Sequence, residues 1–322
     1  MASAVSMQEI TVRFDQVLAN QNVNFEANWG EVHGLVGENG AGKTTLMRVL
    51  YGMYTHYEGD VYINGEKVRF ASPKDAIVKG IGMVHQHFSL VPSMTVTENL
   101  IMGKPPYHHG LIDLKEGEKI VRQLSAEYGL EINPGAKVKD LTVGLQQRVE
   151  ILKALYLGAE ILIMDEPTAV LTPQEIRQLM ETLIHLKEKG KCIILITHKL
   201  AEVKMVTDRI TVMRNGVVTA HVDTKDTDEK QIAMMMVGRE VILEVQKGEY
   251  RPGQVVLDLK HVSCLDKTGL PAVKNVSFQI HRGEVVGIAG VQGNGQSELA
   301  DAVSGLLPLT NGEVILNGKK IG

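Results

Sequence analysis

The chain has 322 residues, with 34 Lys and Arg against 38 Asp and Glu, and it is 44% hydrophobic and 22% charged. This composition excludes a disordered or collagen-like chain, and the length allows two domains that each bury a core. The formal net charge of −4 offers no broad positive surface, so nucleic acid is not an expected partner.

In chain order, apolar runs of strand length alternate with stretches of helical period. They predict a strand at 32–37, a helix at 43–51, a strand at 81–84, a helix at 145–157, a strand at 160–165, a helix at 173–188, a strand at 192–197 and a helix at 199–206. Such alternation is the pattern of an α/β protein with parallel strands. Between about 95 and 140 the pattern gives way to mostly helical, polar sequence with Pro105, Pro106 and Pro134, read as an inserted helical subdomain. No apolar run approaches the roughly 18 to 20 residues of a spanning helix, and the start, MASAVSMQEI, lacks the basic and apolar segments of a signal peptide. A membrane role therefore requires a protein partner. Cys192, inside an apolar run, and the distant Cys264 are expected as reduced thiols in a reducing cytoplasm.

The chain repeats itself. Residues 22–68 align with 275–321 without a gap, with 17 identities in 47 positions, and eight glycines from Gly30 to Gly65 recur from Gly283 to Gly318. Near the end of the aligned stretch each copy carries an Asn-Gly pair of hairpin type, Asn64-Gly65 and Asn317-Gly318. The first copy continues for more than 150 residues past that pair and the second stops at Gly322, so the second domain is expected to be truncated. The polar stretch 244–254, with Gly, Pro and charges, reads as a linker between domains at 1–243 and 255–322.

Gly37-Glu38-Asn39-Gly40-Ala41-Gly42-Lys43-Thr44 follows a predicted strand and opens a predicted helix, the context in which G-x-x-x-x-G-K-[ST] binds phosphate. The glycines let backbone N–H groups close on a nucleotide, Lys43 reaches the β- and γ-phosphates, and the Thr44 hydroxyl ligates Mg²⁺. A partner carboxylate is supplied by the strand Ile161-Leu162-Ile163-Met164, which ends in Asp165 and Glu166. Asp165 is expected to hold Mg²⁺, and Glu166 to act as general base on water. No Cys or acidic cluster surrounds His85, His87, His108 or His109, and no separate metal site is expected there.

Together with Gln86, the segment Leu141-Thr142-Val143-Gly144-Leu145-Gln146-Gln147-Arg148 and His198, these motifs make nearly the whole chain resemble the ATP-binding subunit of an ABC transporter. The resemblance implies a P-loop NTPase fold with an antiparallel β subdomain and a helical insertion, here about 95–157, followed by an incomplete second copy. It implies ATP and Mg²⁺ as ligands, with Phe14 stacking on adenine and residues Gly37 to Thr45 around the phosphates. Gln86 is then the loop residue that touches the metal and links nucleotide to the membrane subunits, and His198 the switch histidine. Thr142, Val143, Gly144 and Leu145 occupy the signature that grips the phosphate of an opposing site. The implied partners are integral membrane permease subunits, indirectly an extracytoplasmic solute-binding protein, and a second cassette or another copy for closure, at the cytoplasmic face of the membrane. Segments such as Thr168-Ala169-Val170-Leu171-Thr172-Pro173 and His85-Gln86-His87-Phe88 are similar to those of sugar and nucleoside importers, most of all nucleoside uptake ATPases. The alternatives are a soluble ABC-type ATPase without a transport role and a non-catalytic nucleotide-binding module.

Two departures stand out. Gln296 replaces the lysine in the second loop, Gly290-Val291-Gln292-Gly293-Asn294-Gly295-Gln296-Ser297, and an amide supplies no positive charge. Thr142, Val143 and Leu145 depart from the family's Leu-Ser-Gly-Gly-Gln, and Thr172 stands where many members have Asp. The isolated chain is therefore expected to bind Mg-ATP but to hydrolyse it weakly.

Overall fold

A computed structural model of the chain describes residues 3–86, 88–239, 252–290 and 293–321. Two compact units divide it, Met1–Leu243 and Glu244–Gly322. Residues 244–251 of the expected linker lie outside the described residues, as do His87, Val291, Gln292 and Gly322.

The first unit opens with two long antiparallel strands, β1 (Ser3–Phe14) and β2 (Val17–Asn28). In the second half of β2, Val23, Phe25 and Ala27 alternate into the core with exposed residues between them, the period-two pattern of a half-buried strand. The short strand β3 (Val32–Val36) then runs into the glycine-rich loop and helix α1 (Lys43–Leu50). Strands β4 (Glu58–Ile63) and β5 (Glu66–Val68) complete a four-stranded sheet in the order β2-β1-β4-β5. The turn between them carries positive φ at both Asn64 and Gly65, the two-residue hairpin that the Asn-Gly pair predicts.

After α2 (Pro73–Val78) come β6 (Ile81–Val84) and the insertion, which holds α3 (Val96–Ile101), α4 (Leu114–Tyr128) and α5 (Val143–Tyr156). Its helices start where side chains cap them. Thr95 and Glu98 exchange hydrogen bonds at the head of α3, and Asp113 accepts from Glu116 N ahead of α4. The insertion is not purely helical, because a small hairpin, β7 (Tyr107–His108) and β8 (Leu111–Ile112), turns at His109-Gly110 after Pro105 and Pro106.

Strands β9 (Ile161–Asp165) and β10 (Cys192–Thr197) flank α6 (Pro173–Glu188), and α7 (Leu200–Val206), β11 (Arg209–Arg214), β12 (Val217–Asp223) and α8 (Glu229–Val237) follow. A six-stranded sheet takes the order β12-β11-β3-β10-β9-β6, with every pair parallel except β11 and β12. Alternate residues of β9 face opposite cores. Ile161 and Ile163 pack with Met7, Phe25 and Leu46, and Leu162 and Met164 pack with Leu100, Val149, Leu152 and Leu183. A parallel sheet covered on both faces needs such continuous apolar strands, which is why β9 and β10 are buried at every position.

The second unit repeats the start of the first. Strands β13 (Val255–Leu265), β14 (Pro271–His281), β15 (Asn311–Leu316) and β16 (Lys319–Lys320) take the order β14-β13-β15-β16, and α9 (Gln296–Val303) has the length of α1. The repeat thus reaches back through β1 and β13, beyond the span visible by identity. Both first strands bulge at a residue of positive φ, Glu9 and His261, against which Gly59 and Gly312 pack. One element differs. Residues 284–290, which match β3 in sequence, form no strand among the described residues, and Val285 is 98% exposed. A strand is stabilised by its neighbours' hydrogen bonds, and β3 has β10 and β11 on its two sides.

Candidate functional site

The loop after β3 wraps the head of α1. Gly42 caps that helix at φ 95° with no side-chain cap, and its first turn contains no acidic residue, so the first-turn amides and the helix dipole are available to an anion. Gly37, Ala41 and Lys43 are buried while Glu38, Asn39 and Gly40 form the exposed rim, with Thr44 and Thr45 half-buried. Lys43 Nζ donates to the carbonyls of Gly37 at 2.8 Å and Glu38 at 2.9 Å. Burial pulls its pKa down, opposed by the charges of Glu166 and Asp165.

Thr44 Oγ1 donates to Asp165 Oδ1 at 3.1 Å. Asp165 sits at the end of β9, and burial raises its pKa against the opposing effect of the Thr44 hydrogen bond. Glu166, the next residue, adopts φ 46°, and its backbone N–H donates to Ile196 O. Its Oε1 lies 3.1 Å from His198 Nδ1. A neutral His198 that donates from Nδ1 keeps Nε2 as an acceptor. Gln86 is exposed two residues beyond Val84, and Val84 pairs with Met164 in the parallel β6–β9 ladder, so Gln86 and Glu166 leave the sheet at the same end. The carboxyl ends of β3, β6, β9 and β10 therefore collect Lys43, Thr44, Gln86, Asp165, Glu166 and His198, the position at which open α/β sheets bind ligands.

Phe14 ends β1 with 41% of its surface exposed and meets Tyr54 edge-on at 5.1 Å. Tyr54 accepts from Arg48 of α1. Sequence reading missed Asn20. It is fully buried in β2, its Nδ2 donates to Gly42 O at 3.2 Å, and its Oδ1 has no hydrogen-bond partner. Strict alternation gives no signal for it: Asn20 is out of step with the buried Val23, Phe25 and Ala27, and a register shift between the Ile10–Val23 and Val12–Asn20 pairs brings it inside.

Thr142 caps α5, its Oγ1 accepting from Leu145 N at 3.4 Å, so Val143, Gly144 and Leu145 form the first helical turn. The helix begins two residues earlier than predicted because this cap nucleates it. Gly144 N donates to Glu175 Oε1 at 3.2 Å, and Gln147 Nε2 to Pro167 O at 2.7 Å. Among the described residues no hydrogen bond or ion pair joins Thr142–Leu145 to the Lys43 loop.

In the second unit Gly295 caps α9 at φ 90°, as Gly42 caps α1. Gln296 turns back onto Gly290, so that a Cβ on Gly290 would collide with its amide. A glycine-capped helix head is kept there without the lysine charge. Among the described residues no group of three or more His, Cys, Asp or Glu could hold a metal by itself, and no helix is long and apolar enough to cross a membrane.

A sequence profile described as ABC transporter matches residues 20–169 and 273–322. A guanosine import ATP-binding protein of Bacillus subtilis (strain 168) is 49% identical over 321 residues, covering 100% of this chain. A nucleoside import ATP-binding protein of Lactococcus lactis subsp. cremoris is 47% identical over 319 residues, covering 99% of it. The chain spans 63% of the length of each of these relatives. Among solved structures, a nucleotide-free ATP-binding cassette from an ABC transporter superposes with a TM-score of 0.63 at 25% identity, covering 77% of this chain and 100% of that one. A second cassette, in an ADP conformation, gives 0.63 at 26% identity, covering 74% and 96%.

Proposed function

The chain belongs to the ABC transporter family, and from that premise we propose that it is the ATP-binding and hydrolysing part of an importer, working through integral membrane permease subunits at the cytoplasmic face of the membrane. The observation that carries this reading is the convergence of the Lys43 loop, the Thr44–Asp165 hydrogen bond and the Glu166–His198 pair at one end of the sheet.

The residues fit Mg-ATP. Thr44 Oγ1 and Asp165 Oδ1 are hard oxygen donors 3.1 Å apart, and Mg²⁺ is commonly held by one or two such side chains with phosphate oxygens and water completing its shell. Thr44 and Asp165 would hold the ion, with Gln86 at its edge, and the ion would neutralise phosphate charge. Lys43 would exchange the Gly37 and Glu38 carbonyls for phosphate oxygens, and the uncapped amides of α1 would complete the cradle. Glu166, held by His198, would take the proton of the attacking water. Phe14 supplies an exposed ring for adenine.

Gly144 is tied to Glu175, and among the described residues no hydrogen bond or ion pair joins Thr142–Leu145 to the Lys43 loop. They would serve a phosphate held by a facing cassette, so we assign closure of each site to a second cassette or another copy. The second unit's loop, with Gln296, would bind nucleotide through its backbone without ordinary hydrolysis. The names of the two relatives favour a nucleoside as solute over a simple sugar, although a glucose import ATP-binding protein of Haloferax volcanii is also 44% identical. An extracytoplasmic binding protein would deliver that solute to the permease.

Titration of the purified chain with Mg-ATP tests the nucleotide reading. Binding that disappears in Lys43→Ala is expected, and binding untouched by that change overturns it. Uptake of labelled guanosine and ribose by cells lacking the coding sequence tests the solute. Loss of guanosine uptake alone is expected, and loss of ribose uptake alone reverses the assignment.

A further inference from the structure

We propose that Glu175 gates the signature: its carboxylate occupies the anion position at the head of α5, and a phosphate of a facing cassette reaches Gly144 only by displacing it. The inference rests on the nucleotide reading above and adds to it a residue that no motif marks.

The first turn of α5 contains no acidic residue of its own, and helix heads attract anions. Glu175 of α6 supplies one. Its Oε1 accepts from Gly144 N at 3.2 Å, while Oε2 accepts from Thr172 N at 3.0 Å and Thr172 Oγ1 at 2.9 Å. These donors, the Thr172 amide foremost, hold the carboxyl below the usual glutamate range, so it is ionised at neutral pH. The fit is close: a Cβ added to Gly144 would lie 2.6 Å from Glu175 Oε1. The adjoining amide of Leu145 is already taken by Thr142 Oγ1.

Two consequences follow from one carboxylate holding both loops. A negative phosphate approaching Gly144 meets a negative charge already bound to the same amide, and like charges in contact repel. Displacing Glu175 also releases Thr172, which lies six residues after Glu166 in the sequence. Occupancy of the signature is thereby coupled to the segment that follows the general base.

Glu175→Gln keeps the shape, removes the charge and leaves one carbonyl oxygen in place of two carboxylate oxygens. The test is sedimentation of the full chain at saturating Mg-ATP, with nucleotide occupancy measured by dialysis on the same samples. ATP-dependent association should tighten by about tenfold in Glu175→Gln, the worth of one charged hydrogen bond. Thr172→Val, which removes one of the three donors, should shift it in the same direction by less. Unchanged or weaker association of both variants at full occupancy overturns the gate and leaves the nucleotide reading standing. Occupancy that persists in Lys43→Ala overturns the nucleotide reading, and the gate with it. A residue that only supported the fold would weaken association when changed, so the sign of the effect separates gating from structural support.

Discussion

Thr44 Oγ1 and Asp165 Oδ1 meet at 3.1 Å across 121 residues of sequence, joining the head of α1 to the end of β9. The carboxylate is buried, and that burial raises its pKa, so an added cation beside it is favoured. Asp165→Asn preserves a carbonyl oxygen for Thr44 while removing the charge. It is expected to weaken the Mg²⁺ dependence of ATP binding by about 10 to 100-fold and to leave thermal stability level or slightly higher. A magnesium titration of bound nucleotide decides, and an unchanged magnesium midpoint counts against Asp165 as a ligand.

The Lys43 charge is held in the loop at a cost to the fold. The residue is 5% exposed, and its ammonium donates to two backbone carbonyls. Buried charges weaken stability when their partners are neutral. Lys43→Met should therefore keep or raise the unfolding midpoint while reducing ATP affinity by about 100-fold, from the loss of charged hydrogen bonds. A variant that lost both together would show that the lysine supports the loop itself.

Much of this site is legible in the sequence because it lies where regular elements end. The apolar strands Ile161–Asp165 and Cys192–Thr197 are buried throughout, so their hydrophobic runs announce them, and the residues just past them fall at one edge. The helix starts are written in capping residues such as Thr95 and Asp113. Three features were not legible. The Asn20–Gly42 contact links residues 22 apart through strand packing; the Gly144–Glu175 contact links helices whose approach no local pattern encodes. The unpaired segment 284–290 reads as a strand from its apolar residues, and strand formation depends on neighbours that periodicity does not reveal.

Glu166 and His198 form a pair at 3.1 Å in which the imidazole fixes the carboxylate. Glu166→Gln should leave ATP binding within about twofold and lower single-turnover hydrolysis by about 10² to 10⁴, the usual share of a general base. His198→Ala should lower the same rate by less, because it removes the support and not the base. Equal hydrolysis by Glu166→Gln and the unsubstituted chain would assign the proton to another group.

Gly40 and Gly42 both have positive φ, at 83° and 95°, yet only one is crowded. A Cβ on Gly40 meets nothing within 4 Å, whereas one on Gly42 would lie 2.5 Å from Ala19 O and 2.6 Å from Asn20 Nδ2. Gly40→Ala should cost only the left-handed backbone penalty, about 1 to 2 kcal/mol. Gly42→Ala should cost about 2 to 4 kcal/mol, adding a clash that drives β2 from the loop. Trp29, the sole tryptophan, lies in the first unit, so its fluorescence during urea unfolding reports the comparison. Equal costs would mean that β2 yields freely.

A buried polar chain at the opposite end of β3 sets the pH response. Glu31 accepts from His33 Nδ1 at 2.7 Å and from Arg209 Nε at 2.9 Å, and His33 Nε2 lies 2.8 Å from Thr211 Oγ1. Burial alone would raise the Glu31 pKa, but the His33 and Arg209 hydrogen bonds outweigh it and hold the value at about 2. His33 is held below its ordinary 6.5, chiefly by burial, and so is His221 beside it. Unfolding returns the histidines toward 6.5 and the carboxyl toward 4.5, so below those values the unfolded chain binds more protons than the folded one. Stability therefore rises with pH. The histidine contribution is fully present above 6.5 and declines as pH falls through it; the Glu31 contribution is present above 4.5 and is lost progressively toward 2. Arg209→Ala removes the cation from a buried carboxylate. The cost at pH 7 should be about 2 kcal/mol, less than for a fully buried pair because the Arg209 side chain is 35% exposed. Without Arg209 the Glu31 pKa moves back up, so the variant's curve should flatten below pH 4.5 where the parent keeps falling. Urea unfolding from pH 3 to 8 measures both curves, and two parallel curves would show that Arg209 does not set the Glu31 charge.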